Sequence, residues 1–167
     1  LFIGKGEEKE RPPLYSFGYA YPFIDAGTLG DTLPYLTDLY VFSYGFTEEG
    51  NLVSPASDDM WMIDQSWETG VRPILTLTPI DASGRFNNNL VSALLGDRQA
   101  QERLIWELGR TMQERRFGGL DFDFEYVLAQ DRERYPELVA LAARMFNEFD
   151  YQVSAALAPK TSPEQPG

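Results

Sequence analysis

The sequence predicts an α/β fold with a parallel sheet, because short apolar runs alternate with longer segments of helical periodicity along most of its 167 residues. Two further observations support this. The short runs are rich in aromatic and β-branched residues, and Gly or Pro punctuates their ends. Four βα units and the start of a fifth can be counted. The chain is long enough for one core and too short for two ordinary domains.

Residues 4–13 are charged and then Pro-stopped, so residues 1–13 read as a linker remnant and residues 14–167 as the domain. The first strand is expected over residues 15–21, followed by a helix over 26–36 and an aromatic-rich second strand over 39–46. A turn follows at Thr47-Glu48-Glu49-Gly50. The next helix, residues 58–69, ends at Gly70, and a short third strand over 74–78 is stopped by Pro79. Residues 81–89 form a Gly- and Asn-rich loop. Asp97 is a candidate N-cap for a helix reaching about Arg116, with Leu104, Ile105, Leu108 and Met112 on its core face. The fourth strand is expected over residues 120–125. Leu138, Leu141, Ala142, Met145 and Phe149 form the stripe of the following helix, and a fifth strand covers 151–157.

Composition removes whole classes of chemistry. There are 26 Asp plus Glu against 14 Lys plus Arg, a net charge of −12, which argues against a phosphate-tracking surface and a nucleic-acid partner. With no Cys and no His, disulfides, zinc ribbons, thiol nucleophiles and Ser-His-Asp triads are excluded. Catalysis falls to carboxylates, Tyr, Lys or Ser. No run of about 18 apolar residues and no signal peptide are recognisable, so no membrane partner is expected. The chain starts at Leu1 rather than Met and ends in a Pro-punctuated stretch, so both ends are expected to be cuts in a longer polypeptide.

The segment Phe117-Gly118-Gly119-Leu120-Asp121-Phe122-Asp123-Phe124-Glu125-Tyr126 concentrates the chemistry. Side chains on a strand alternate, so Asp121, Asp123 and Glu125 share one face while Leu120, Phe122 and Phe124 share the other. Successive acids lie about 6 to 7 Å apart along the strand. Each charge raises the cost of the next, which pushes at least one pKa upward. Sites in parallel α/β folds lie beyond the carboxyl ends of the strands, which makes Glu125 the general-acid candidate and predicts a raised pKa there. Two other readings of the acids stay open: the solvated face of an edge strand, and a divalent-metal site.

This segment resembles the signature of glycoside hydrolase family 18, Asp-Gly-x-Asp-x-Asp-x-Glu, with Gly118 where the signature has its first Asp and the last three acids matching. Phe42-Ser43-Tyr44-Gly45-Phe46, Gly84-Arg85-Phe86-Asn87-Asn88-Asn89 and Ala156-Leu157-Ala158-Pro159-Lys160-Thr161 are similar to segments of its branch of spore germination, cortical fragment-lytic N-acetylglucosaminidases. The resemblance implies a (β/α)8 TIM barrel, here truncated to about its first four βα units plus the fifth strand, since a whole barrel needs about 250 residues. It implies a retaining, substrate-assisted mechanism without cofactor or metal. In that scheme Glu125 is general acid and base, Asp123 orients the substrate's acetamido group, and Asp121 tunes Asp123 from behind. For sugar contacts the strand ends offer Tyr21 and Tyr44, with Asn88 in the loop beyond the third strand.

The implied substrate is N-acetylglucosamine-containing polysaccharide, with spore-cortex peptidoglycan ahead of chitin, and the implied location is extracytoplasmic or spore-associated. An unclosed barrel is expected to associate with itself or with its missing half, and to have little activity alone. Two alternatives remain: a non-catalytic chitinase-like glycan-binding module and, behind it, a metal-dependent hydrolase using the three acids as ligands.

Overall fold

The computed structural model describes residues 14–159 and Ser162. The expected linker over residues 1–13 and the Lys160-Thr161 end of the last motif lie outside the described residues. Five strands form a parallel sheet: β1 (Phe17–Ala20), β2 (Asp38–Phe46), β4 (Arg72–Leu77), β5 (Gly119–Asp123) and β6 (Gln152–Ala156), hydrogen-bonded in that order. The two-residue β3 (Leu52–Val53) pairs antiparallel with the end of β2, a hairpin built on the expected turn. Helices α1 (Ala26–Thr32), α2 (Met60–Glu68), α3 (Asn89–Gly96), α4 (Arg98–Arg115) and α5 (Arg134–Phe146) connect the strands. The expectation of a partial parallel barrel holds.

Local chemistry accounts for the boundaries. The Asp25 carboxylate accepts from Thr28 N–H to open α1, and Asp97 accepts from Gln99 and Ala100 N–H to open α4. Gly70 takes a positive φ of 75° just past α2, as expected of a helix C-terminal glycine. Two elements differ from the sequence reading, α3 by being absent from it and α5 in the residues of its buried stripe. Helix α3 buries Leu90, Val91, Leu94 and Leu95 in the stretch that the sequence reading left unassigned between the loop over residues 81–89 and the Asp97 cap. In α5 the buried stripe is Tyr135, Leu138, Ala142 and Phe146, whereas the expected Met145 and Phe149 are exposed.

The two faces of the sheet differ. Leu39, Val41, Leu75, Leu77, Leu120 and Phe122 pack against the helices in one continuous core. On the opposite face β1 presents an alternating aromatic row, Tyr15, Phe17 and Tyr19, with neighbouring ring centroids 6.1 and 6.2 Å apart. This face curls into a shallow lumen: Gln152 Nε2 on β6 lies 3.1 Å from the Tyr15 hydroxyl on the far edge of the sheet.

Strand β2 changes face part-way along. Its register with β4 shifts between Val41 and Tyr44, so the alternation that puts Tyr40 and Phe42 in the lumen is re-phased. Beyond the bulge, Tyr44 and Phe46 join the helix-facing core.

Candidate active site

The acids follow the expected alternation. Asp121 and Asp123 project from β5 into the lumen, while Phe122 and Phe124 are buried among Phe46 and Tyr135 on the other side. β5 lies between β4 and β6, and Asp121 is 1% exposed. The solvated edge-strand reading is therefore overturned. The strand ladder ends at Asp123, so Glu125 sits in the turn just beyond it, exposed. Phe124, packed against Phe46 and Tyr135, anchors the base of that turn.

Asp121 sits in a hydrogen-bonded network. Its Oδ2 accepts from the Tyr19 hydroxyl at 3.0 Å and its Oδ1 from the Ser154 hydroxyl at 2.7 Å. Ser154 has one proton, committed to Asp121, so the Tyr40 hydroxyl 3.3 Å away donates to it. Burial raises the Asp121 carboxyl above its ordinary range despite these two bonds, which favour the charged form. Asp123 is raised to about 6, by burial first and then by the charges of Glu125 and Asp121. The raised carboxyls that the crowding predicted are thus Asp121 and Asp123.

Asp123 and Glu125 open into a cavity of about 270 Å³ whose walls include Tyr19, Tyr21, Phe42 and Ala156. Tyr21, chosen from the sequence, is there. Tyr19 and Phe42 were missed, although two-residue alternation from Tyr21 points to Tyr19. Tyr44 requires a correction: it is fully buried on the helix side, its hydroxyl donating to Asp59 at 2.8 Å and its ring 5.9 Å from Phe117. The bulge before it turned it out of the lumen. Asn88 precedes the first turn of α3, exposed, and does not line the cavity with the acids. Among the described residues no group of three carboxyl-type ligands converges closely enough to hold a metal ion.

Gly118, which stands where the signature has its first Asp, has a physical explanation. A Cβ there would lie 2.3 Å from Arg72 Cγ. Arg72 fills that space and makes two bonds to Asp38, at 2.9 and 3.1 Å, beneath the lumen.

No family model matches the chain. The cortical fragment-lytic enzyme of Bacillus subtilis is 36% identical over 134 residues, 80% of this chain and 30% of that protein. The solved structure of the Bacillus cereus spore cortex-lytic enzyme SleL superposes with a TM-score of 0.81 at 27% identity, covering 90% of this chain and 36% of that one. The chain belongs to glycoside hydrolase family 18, in its chitinase-like spore cortex-lytic branch. It spans about 30% of the length of the curated relatives it matches. A class V chitinase from Pseudomonas fluorescens shares the fold, with a TM-score of 0.83 over 91% of this chain and 47% of that one, at 19% identity. The five parallel strands and their helices are therefore part of a family 18 barrel. The acid row lies at the carboxyl end of β5, the end at which barrel enzymes carry their sites.

Proposed function

We propose that this chain supplies the acid-bearing part of a retaining, substrate-assisted glycosidase acting on N-acetylglucosamine-containing glycan, the peptidoglycan of the spore cortex. One observation carries the reading: the row Asp121, Asp123, Glu125 runs from a buried, doubly hydrogen-bonded carboxyl to an exposed one at an aromatic-walled cavity. The printed names of the relatives, cortical fragment-lytic enzyme and spore cortex-lytic enzyme, support the substrate.

Glu125 gives its proton to the glycosidic oxygen as the bond from that oxygen to the anomeric carbon breaks. The carbonyl oxygen of the substrate's own acetamido group forms the new bond to that carbon, leaving an oxazolinium-type intermediate. Asp123 accepts from the acetamido N–H and stabilises the positive charge that develops. Asp121, fixed by Tyr19 and Ser154, keeps Asp123 in place and its pKa high. Water then attacks with Glu125 as base, restoring its proton and the original anomeric configuration. The scheme calls for no cofactor.

Among the described residues β1 and β6 each pair on one side only, and Phe17 and Tyr19 beside the open edge are about half exposed. In this reading those edges pair with further strands, from more polypeptide or a second copy, and the chain alone has little hydrolase activity. The corresponding location is the spore.

Muropeptide release from cortex peptidoglycan by a full-length protein containing this chain tests the reading. Wild type releases fragments with or without a chelator, and Glu125→Gln loses at least about a hundredfold, the lower range for a general acid. Glycan binding without release by the wild type overturns the reading in favour of a non-catalytic module. Loss of release on chelation overturns the metal-free mechanism.

A further inference from the structure

Helix α4 carries on its outer side a feature that the acid row does not use. Arg98, Glu102, Trp106, Arg110 and Glu114 recur every four residues and so form one inclined ridge along the helix. The four charged side chains are 52 to 65% exposed, and Trp106, on the side away from the buried Leu104, Leu108 and Met112, is 64% exposed. Arg98 pairs with Glu102 at 2.8 Å and Arg110 with Glu114 at 3.6 Å, and the Arg110 guanidinium lies 5.5 Å from the centre of the Trp106 ring.

For the helix alone these charges are badly ordered. A four-residue pair is better with its acid first, and the helix dipole favours acids in the first turn and bases in the last. The ridge instead begins with Arg98 and ends with Glu114, and both of its pairs run base then acid. The order suits a second copy. Taken from its other end the ridge runs Glu, Arg, Trp, Glu, Arg, so two α4 helices laid head to tail about a two-fold axis at Trp106 set every Arg beside a Glu. Ridges of this spacing are the ones that interdigitate in the commonest helix crossing.

The apolar part of such a contact is also present. Beside the ridge, towards α5, lies a groove of about 460 Å³ whose walls include Gly109, Met145, Phe146 and Phe149. Phe149 is 71% exposed and Met145 46%. Gly109, where a Cβ would lie 3.1 Å from the Phe146 ring, brings this groove within one turn of Trp106. It gives a partner's indole a place to seat, and an aromatic anchor ringed by charged pairs is the usual anatomy of a protein interface. Because α4 joins β4 to β5 at the middle of the sheet, strands added at the β1 and β6 edges leave this face uncovered.

We propose that the outer face of α4, with the groove against α5, is a homodimer interface that takes a second copy of the chain head to tail. It is distinct from pairing at the sheet edges and stands independently of the glycosidase reading. Helix α4 runs opposite to the parallel strands it joins, so the head-to-tail arrangement turns the two acid rows away from each other and leaves both cavities open.

Sedimentation equilibrium of a full-length protein containing this chain is the test. Wild type is expected to be dimeric at micromolar concentration. Trp106→Glu, Arg110→Glu and Glu102→Arg are each expected to weaken the dimer at least about tenfold, the effect of losing one anchor or charge pair, with far-UV circular dichroism unchanged at these exposed positions. Glu102→Arg combined with Arg110→Glu is expected to regain most of that loss, because the reversed pair again sets opposite charges across the axis. A full-length monomer overturns the proposal, as does a dimer unmoved by Trp106→Glu. A double variant no tighter than its single parents overturns the head-to-tail arrangement. None of these outcomes bears on the glycosidase reading, since the substituted side chains lie on the outer face of α4 and the acids face the lumen.

Discussion

The Tyr19 hydroxyl on β1 donates to Asp121 on β5 at 3.0 Å, joining residues 102 apart in the chain across the lumen. The bond ties the outermost strand to the acid row and favours the ionised form of a carboxyl that burial pushes towards protonation. Tyr19→Phe removes the donor and leaves a buried acceptor half satisfied. The expected loss is about 1 to 2 kcal/mol of folding stability, read by denaturant unfolding, with the Asp121 pKa raised further. A neutral effect on both readouts refutes this role for Tyr19.

Asp123 gives the fold a pH dependence. Its pKa is about 6 folded against an ordinary 3.8, so the folded state holds its proton more tightly. This group's contribution to stability is therefore fully present below its unfolded pKa and is lost as pH rises through about 6. The Tm of wild type minus that of Asp123→Asn is expected to fall between pH 5 and pH 7. Carboxyl NMR should place the Asp123 midpoint near 6 and show it descending in Glu125→Gln, because the Glu125 charge is one of its causes.

Two adjacent glycines separate side-chain crowding from backbone crowding. A Cβ at Gly118 meets the aliphatic stem of Arg72, which can move at the expense of its bonds to Asp38, a cost of about 1 to 3 kcal/mol. A Cβ at Gly119 lies 2.5 Å from the Gln152 carbonyl oxygen, in the β5–β6 pairing itself. Gly119→Ala is expected to destabilise more than Gly118→Ala in thermal melts. The reverse order contradicts this account of the Gly118-Gly119 pair.

The open sheet predicts association. With β1 and β6 each paired on one side only among the described residues, and half-exposed Phe17 and Tyr19 beside one of those edges, the 19.0 kDa chain is expected to sediment as a larger species. A single monomeric boundary at micromolar concentration speaks against edge pairing.

The five parallel strands and the acid row were legible because each rests on local periodicity. Alternation put Asp121 and Asp123 on one face of β5 and Phe122 on the other, and the caps at Asp97 and Gly70 fixed helix ends. What was not legible depended on contacts distant in sequence. Nothing near residue 118 announces that Arg72 needs its space, and nothing near residue 121 announces Tyr19. Helix α3 was recoverable from its Leu90, Val91, Leu94, Leu95 pattern, but the Asn run before it reads as loop. Glu125 was placed on the strand when it belongs to the following turn, a difference of two residues that leaves it at the same cavity.

The irregularity in β2 acts on every later inference drawn from that strand. Because one extra residue is absorbed between Val41 and Tyr44, parity no longer tells inside from outside along the strand, and even-numbered positions mean opposite things on either side of it. An experimenter who counts in twos from Tyr40 and mutates Tyr44 to probe sugar contact would instead pull a wedge from the seam between sheet and helix α2, leaving Asp59 with Arg115 alone of its two side-chain partners. The resulting inactivity would look like lost recognition and would be lost architecture.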